Sequence, residues 1–317
     1  MNLDWQRTLL LAGPTASGKS AVALSLVERL QGEIVSVDSM QVYRGLDLGT
    51  AKATPAERRR VSHHLIDVAG VSEPFDVARY RTLALDAVND ILARGRIPIL
   101  CGGTGLYFKA LLAGLDPLPP SDPAVRAELE TTPVESLLAE LRRDDPEALA
   151  NLDLANPRRI QRAVELRRLT GQTWAARRAA WSPDNASPEA AVWCLRRDRA
   201  DLTARIDRRV EAMFAAGLVA ETQSALAAGL ADNRTALQAI GYRQVVEHLR
   251  GERDLPETIA LVKQRTRQFA RRQMTWFRHQ LPVHWVDVSA DEPAEATAAR
   301  IVQARNPEPV AHPVTRC

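Results

Sequence analysis

The sequence has few cysteines, few aromatic residues and no long apolar segment. Aromatic residues make up 5% of the 317 residues. No apolar run approaches the roughly 18 residues that a membrane-spanning helix needs. Cys101, Cys194 and Cys317 are isolated, so they form neither a disulfide framework nor a metal-ligand pattern. The N-terminus carries Asp4 and lacks a basic segment followed by an apolar one, so we expect no signal peptide. These absences argue against membrane proteins and disulfide-rich secreted domains, and they predict a protein of the reducing cytoplasm.

Charge is unevenly distributed along the chain, although the formal net charge is only +3. Residues 1–150 hold 16 Lys or Arg and 20 Asp or Glu, whereas residues 151–317 hold 26 and 19. A basic second half favours a polyanionic partner, but solvated basic helices produce the same imbalance.

Short apolar runs alternate with helical patterns in the first hundred residues. Residues 8–12, 34–37 and 97–101 have the length of buried strands. Residues 21–30 and 77–94 have apolar side chains at helical spacing. This alternation predicts an α/β fold with a parallel sheet flanked by helices.

The composition changes at residues 118–123, which include three prolines. A helical stretch rich in Ala, Leu, Arg and Glu follows, and residues 191–195 suit a strand that returns to the sheet. We therefore divide the chain into a first part of the core (1–121), an all-helical insertion (122–188), a second part of the core with basic C-terminal helices (189–290), and a flexible tail (291–317).

A phosphate-binding loop follows the first predicted strand and opens the first predicted helix. It fits the P-loop pattern G-x-x-x-x-G-K-[ST]. Its backbone N–H groups and the helix N-terminus can hold phosphate oxygens, Lys19 adds a positive charge, and the Ser20 hydroxyl is the expected Mg²⁺ ligand. The pattern predicts a polyphosphate and Mg²⁺ without specifying a nucleotide. Its residues are Gly13, Pro14, Thr15, Ala16, Ser17, Gly18, Lys19 and Ser20.

Two further motifs end predicted strands at the same edge of the sheet. Asp38 follows the second strand, where it can hold Mg²⁺ through water, act as a general base, or cap a turn. The third strand ends in the glycine turn, residues 102–105 (Gly-Gly-Thr-Gly), which lets the backbone approach a ligand closely and places the Thr104 hydroxyl at this edge.

An ordered series of motifs resembles the bacterial tRNA dimethylallyltransferases, also called tRNA isopentenyltransferases. The resemblance covers roughly residues 7–287. Besides the P-loop, its motifs are Asp-Ser-Met-Gln-Val-Tyr (38–43), Asp-Leu-Gly-Thr-Ala-Lys (47–52), His-His-Leu-Ile-Asp (63–67), Gly-Gly-Thr-Gly-Leu-Tyr (102–107), Gly-Tyr-Arg-Gln (241–244) and Arg-Arg-Gln-Met-Thr-Trp-Phe (271–277).

The resemblance implies a reaction. The P-loop would bind the diphosphate of dimethylallyl diphosphate, and the acceptor would be the N6 amine of the adenine on the 3′ side of the tRNA anticodon. Asp38 would be the general base, Thr104 would bond near the bridging oxygen of the diphosphate, and Lys19 and Arg209 would contact the diphosphate, with Mg²⁺ as cofactor. Arg209 also suits a surface position on a helix. The family further implies a monomer that binds the anticodon stem-loop.

The resemblance also implies RNA-contacting residues in six parts of the chain. From residue 258 to 285 there are six Lys or Arg and no acidic residue, with aromatic residues interleaved. Arginine helices also simply face solvent, and Trp276 suits a core position. The implied set comprises Asp38, Ser39, Met40, Gln41, Thr104, Arg126, Arg158, Arg159, Ile160, Gln161, Arg162, Gly241, Tyr242, Arg243, Arg271, Arg272, Gln273, Trp276 and Arg278.

Three other functions use some of the same residues. A small-molecule or nucleotide kinase also needs a P-loop, Mg²⁺ and an Asp, but the basic C-terminal third would then have no purpose. An RNA-binding NTPase switch would bind ATP or GTP, although the guanine-reading N-K-x-D motif is absent. A prenyltransferase of free adenine nucleotides is the nearest alternative, and the long helical insertion favours tRNA over it.

Overall fold

A computed structural model describes residues 4–115, 122–174, 176 and 190–305. The chain forms two compact units, residues 1–112 with 187–317, and residues 113–186. The sequence had suggested 122–188 for the second unit. None of the described residues forms a helix that is long and apolar enough to span a membrane.

The first unit contains a six-stranded sheet in which every pair of neighbouring strands is parallel. This confirms the predicted parallel α/β sheet. The strands are β1 (Leu9–Ala12), β2 (Gly32–Val37), β3 (His63–His64), β4 (Ile97–Gly102), β5 (Val192–Arg196) and β6 (Val283–Asp287), in the spatial order β3-β2-β4-β1-β5-β6. The sequence patterns did not predict β6.

Helices of the first unit pack around this sheet, because β1 and β2 are buried at every position. They are α1 (Lys19–Leu30), α2 (Pro55–Arg60), α3 (Val77–Ala93) and α4 (Gly105–Leu112), and, after the second unit, α9 (Arg199–Ala215), α10 (Leu218–Ala227), α11 (Tyr242–Leu249), α12 (Leu255–Gln280) and α13 (Ala294–Arg305). Two short 3₁₀ turns lie at Leu230–Asp232 and Ala236–Gln238.

The central strand β1 delivers the P-loop at its carboxyl end, between β4 and β5. Leu9 and Leu11 of β1 share a core cluster with Leu26 of α1 and Ile99 of β4. The loop that follows β1 is thus anchored on both sides by packed apolar side chains.

The predicted flexible tail is wrong for residues 294–305, which form α13. Ala298 and Ile301 of this helix are buried in the core cluster that includes α1. The sequence pattern did not predict this helix, because its small alanine side chains give only a weak amphipathic pattern. The rest of the predicted tail, residues 306–317, lies outside the described residues.

The second unit is described over four helices, α5 (Pro123–Thr131), α6 (Val134–Asp144), α7 (Pro146–Asn151) and α8 (Pro157–Thr170). They have a core of their own, formed by Leu129, Leu137, Leu141, Ala148, Leu152, Ile160, Ala163 and Val164. The end of the predicted insertion, residues 177–188, lies outside the described residues.

Candidate active site

The P-loop, residues 13–20, forms a tight turn that needs glycine at two positions, Gly13 and Gly18. Gly18 caps the N-terminus of α1 with φ 96°, a value that favours glycine. At Gly13, an added Cβ would lie 2.9 Å from the Ser17 Oγ and 3.3 Å from Leu195. The loop therefore closes tightly around the N-terminus of α1, where free N–H groups favour an anion.

Two arginines that the sequence analysis did not predict support the P-loop from the outside. Arg197 Nε donates to the Ser17 carbonyl at 2.7 Å, and Arg205 Nε donates to the Ala16 carbonyl at 2.9 Å. Arg197 is also paired with Asp201 at 2.8 Å. Because both guanidinium groups donate to backbone carbonyls of the P-loop, they hold the loop in place and add positive charge beside it.

Two further cations, Lys19 and Arg209, lie on the side of the loop that faces the cavity. Lys19 Nζ donates to the Pro14 carbonyl at 3.2 Å, and Arg209 Nη1 donates to the Thr15 hydroxyl at 3.4 Å. Burial lowers the pKa of Lys19, and it lowers the pKa of Arg209 with a further contribution from Arg205. No carboxylate in the described part of the chain forms an ion pair with either residue. This excess of positive charge suits a multiply charged anion.

Asp38 and Thr104 lie across the same cavity from the P-loop residues. Asp38 Oδ1 accepts from Met40 N at 2.9 Å and from Gln41 N at 3.3 Å, so Asp38 caps its turn. None of the described residues donates to its Oδ2. The Thr104 hydroxyl accepts from Ser39 N at 3.0 Å. The cap therefore uses one oxygen of Asp38 and leaves the other without a donor among the described residues.

The glycine turn, residues 102–105, is required by close protein packing. An added Cβ would collide with the Val37 backbone at Gly102, with the Gln273 carboxamide at Gly103, and with the Trp276 ring at Gly105. These glycines let β2 and α12 approach the turn closely, which adds a packing requirement to the ligand approach that the sequence suggested. The carboxamide of Gln273 joins the turn to the P-loop, accepting from Thr15 N at 2.8 Å and donating to the Gly103 carbonyl at 2.9 Å.

One cavity of about 510 Å³ connects these groups. It has an apolar part, lined by Ala23, Leu24, Ile34 and Ile66, and another part lined by Phe269 and Arg272, whose side chains are exposed. The Arg272 guanidinium lies 5.8 Å from the centre of the Phe269 ring. The cavity thus joins an anion site, an apolar lining and a cationic aromatic patch. Its lining also includes Thr15, Lys19, Ser20, Asp38, Ser39, Met40, Gln41, Thr104, Arg209 and Gln273.

The motifs at residues 47–52 and 63–67 are joined by the buried Lys52. Its Nζ donates to Asp47 at 2.7 Å and to Asp67 at 2.6 Å, and Asp67 also pairs with Arg58 at 2.6 Å. Burial alone would raise the pKa of Asp67, but hydrogen bonds from Lys52 and Arg58 lower it overall. These motifs build one wall of the cavity.

Three predicted RNA-contacting residues of the first unit have other roles in the structure. Tyr242 is fully buried, and its hydroxyl donates to Glu221 and accepts from Gly49 N at 3.1 Å. Gln41 accepts from Ser36 and donates to Thr50, and Gln273 is held as described above. No part of the Tyr242 side chain reaches the surface, so its predicted contact with RNA would have to use its backbone.

The other predicted residues of the first unit remain at least partly accessible, except Gly241, which is buried. Arg271, Arg272 and Arg278 are exposed on α12, and Arg243 is exposed while paired with Glu247 at 3.1 Å. Gly241 precedes α11 with φ 101°, and Trp276 is half-buried over the glycine turn. The three α12 arginines have no carboxylate partner among the described residues.

In the second unit, a buried carboxylate organises two of the predicted arginines. Glu165, with a side chain that is 4% exposed, pairs with Arg126 at 2.9 Å and with Arg162 at 2.6 Å. Ile160 is fully buried in the unit's core, so its side chain does not reach the surface, and its predicted contact with RNA would have to use its backbone. The other three predicted residues of α8, Arg158, Arg159 and Gln161, lie at least partly at its surface.

Comparison with known proteins gives consistent matches over most of the chain. The family model described as IPP transferase matches residues 41–280. The tRNA dimethylallyltransferase 1 of Trichlorobacter lovleyi is 46% identical over 88% of this chain and 93% of its own. The tRNA dimethylallyltransferase of Salinispora arenicola is 47% identical over 93% and 86%.

Solved structures match as well. A tRNA isopentenylpyrophosphate transferase from Bacillus halodurans is similar with a TM-score of 0.70 and 36% identity, covering 95% of this chain and 96% of its own. A eukaryotic dimethylallyltransferase, described as acting on tRNA, is similar with a TM-score of 0.78 and 25% identity, covering 94% and 78%.

Proposed function

The chain belongs to the IPP transferase family, and on that premise we propose that it is a tRNA dimethylallyltransferase. It transfers the dimethylallyl group of dimethylallyl diphosphate to the N6 amine of the adenine on the 3′ side of the tRNA anticodon, releasing diphosphate. The observation that carries this proposal is the shared cavity, in which Lys19 and Arg209, neither of them paired with a carboxylate of the described residues, face Asp38 and Thr104.

The departing diphosphate is the charge that the site must stabilise. The backbone N–H groups at the N-terminus of α1, together with Lys19 and Arg209, supply that stabilisation, since the allylic C–O bond breaks as negative charge builds on the diphosphate. The hydroxyl of Ser20 is exposed in the same cavity, and hard oxygen donors beside phosphates suit Mg²⁺. Ser20 would hold Mg²⁺, which supplies further charge neutralisation when bound.

The acceptor amine needs a base, because an aromatic amine becomes acidic as it forms the new C–N bond. Asp38 Oδ2 is available for this proton while Oδ1 keeps the turn in place. The Thr104 hydroxyl accepts from Ser39 N at 3.0 Å and donates to the Ser39 hydroxyl at 3.4 Å, and in the complex we propose that it donates to the diphosphate near the breaking bond. The apolar lining formed by Leu24, Ile34 and Ile66 suits a five-carbon hydrocarbon group.

The adenine must leave the stacked anticodon loop to reach Asp38. Arg272 and Phe269 offer the combination of a cation and an aromatic face that suits a single-stranded nucleotide. Arg271 and Arg278 supply exposed positive charge along the same helix for the RNA backbone. The enzyme is proposed to act as a monomer in the cytoplasm.

The proposal is tested by the transfer of radiolabelled dimethylallyl group from its diphosphate to unmodified tRNA in the presence of Mg²⁺. We expect label in the tRNA, and excess unlabelled AMP, ADP or ATP should not compete with it. Label in the free nucleotides would favour the prenyltransferase of adenine nucleotides. Consumption of ATP with a phosphorylated small product would assign the chain to the kinases.

A further inference from the structure

Gln273 on α12 connects two loops that are distant in the sequence. Its Oε1 accepts from Thr15 N of the P-loop at 2.8 Å, across 258 positions, and its Nε2 donates to the Gly103 carbonyl at 2.9 Å. The side chain is 7% exposed. These two bonds join the P-loop to the glycine turn that carries Thr104.

The two partners require one acceptor and one donor at the end of a side chain of fixed length. A glutamine carboxamide provides both, whereas a carboxylate provides acceptors only. With glutamate at this position, Thr15 N would keep its partner, but the Gly103 carbonyl would face a second oxygen. With methionine, both backbone groups would lose their partner in a buried place, which is unfavourable.

The surroundings of Gln273 leave the carboxamide little freedom. A Cβ added at Gly103 would occupy the position of its Nε2. The neighbouring Arg271 and Arg272 are exposed, so the helix presents Gln273 to the loops and its arginines to solvent. A substitution of Gln273 therefore acts on the loops without removing the cations of the helix.

We propose that Gln273 is a positioning residue that sets the distance between the P-loop and the glycine turn, and through it the affinity of the site for the diphosphate of the substrate. This inference rests on the proposed function, because it assigns the P-loop to a diphosphate. Gln273 holds the Thr15 amide and the Gly103 carbonyl at a fixed separation, so the P-loop donors and the Thr104 hydroxyl converge on the same anion.

The test uses the full chain with Gln273→Glu, Gln273→Met and Gly103→Ala. Gln264→Glu is the matched control, because Gln264 lies exposed on the same helix and has no hydrogen-bond partner among the described residues. Binding of inorganic diphosphate with Mg²⁺ is measured by calorimetry without tRNA, and KM is then measured for dimethylallyl diphosphate and for tRNA. Thermal unfolding identifies any variant that fails to fold.

We expect each of the three variants to weaken diphosphate binding and to raise KM for dimethylallyl diphosphate by at least about tenfold. KM for tRNA should change by less than about threefold, and Gln264→Glu should match the native protein. A folded Gln273→Met or Gly103→Ala protein with native diphosphate affinity would overturn the inference. So would an equal rise in both KM values.

The outcomes separate this inference from the proposed function. If the native protein prenylates tRNA and the variants bind diphosphate normally, only the positioning role of Gln273 is refuted. If the native protein binds diphosphate in a manner that depends on Gln273 but transfers no prenyl group to tRNA, the proposed function fails and the positioning role stands.

Discussion

Replacement of Asp38 by asparagine separates its structural contribution from its chemical one. Oδ1 of Asp38 accepts from Met40 N and Gln41 N, whereas Oδ2 has no donor among the described residues. Asparagine keeps a carbonyl oxygen for the cap but cannot accept a proton at neutral pH. Alanine loses both functions.

The expected magnitudes differ by property. A positioned general base contributes about 10²- to 10⁴-fold to a rate, so kcat of Asp38→Asn should fall within that range. Loss of a cap removes about 1 kcal/mol of stability, which for a chain of 317 residues lowers Tm by about 1.5 °C. That decrease should appear in Asp38→Ala and be absent from Asp38→Asn.

The charge of Asp38 gives a second expectation. It is one of the groups that raise the pKa of Lys19, after the dominant lowering by burial. Removing this negative charge from the cavity should leave dimethylallyl diphosphate binding unchanged or tighter. Steady-state kinetics should therefore show a lower kcat without a higher KM for this substrate. A kcat of Asp38→Asn within about threefold of the native value would refute the assignment of Asp38 as the base.

Three other predictions concern the core, the RNA surface and acid stability. Ile160→Ala should lower the free energy of unfolding by about 2–5 kcal/mol in urea denaturation, because it leaves a cavity in a buried cluster; an unchanged stability with weaker tRNA binding would contradict this. Arg272→Ala should weaken tRNA binding and reduce the slope of log affinity against log salt by about 1; an unchanged slope would argue against a phosphate contact. The pKa of Asp67 is lowered in the folded state, since bonds from Lys52 and Arg58 outweigh burial, so its contribution is present above the unfolded pKa of about 3.9 and is lost as pH falls through the lower folded value. Urea denaturation between pH 7 and pH 3 should therefore show a smaller acid-induced loss of stability in Asp67→Asn than in the native protein, and equal losses would show that Asp67 does not control it.

Local sequence patterns were sufficient to predict the parallel sheet and to predict that the main site residues lie close together. The P-loop, Asp38 and Thr104 each follow a strand of one parallel sheet, and the carboxyl ends of such strands meet at one edge. Arg209 was placed by resemblance alone, and the structure puts it in the same cavity.

The supports of the P-loop could not be predicted from local patterns. Arg197 and Arg205 bind backbone carbonyls that lie 180 and 189 positions away. Gln273 reaches Thr15 across 258 positions. Every residue has a backbone carbonyl, so neither residue spacing nor composition shows which carbonyl a distant arginine will bind. Tertiary packing alone brings them together.

Motif membership also does not tell which way a side chain points. Ile160 lies in an RNA-contact motif, but Ala163 and Val164 follow at helical spacing and all three are buried. That spacing predicts a buried side chain for Ile160, which membership of the motif alone did not indicate. The sequence around Tyr242 did not indicate that its side chain is buried, because the burial depends on contacts with Gly49 and Glu221 in distant segments.

A crystal structure of the protein with Mg²⁺ and a non-reactive thio analogue of dimethylallyl diphosphate tests the central claim most directly. We expect the two phosphates against the backbone amides at the N-terminus of α1, with Lys19 and Arg209 in contact, and the allylic carbon between Asp38 and Thr104. Binding of the analogue away from the P-loop, or exclusion of the analogue by ATP bound in that loop, would contradict it.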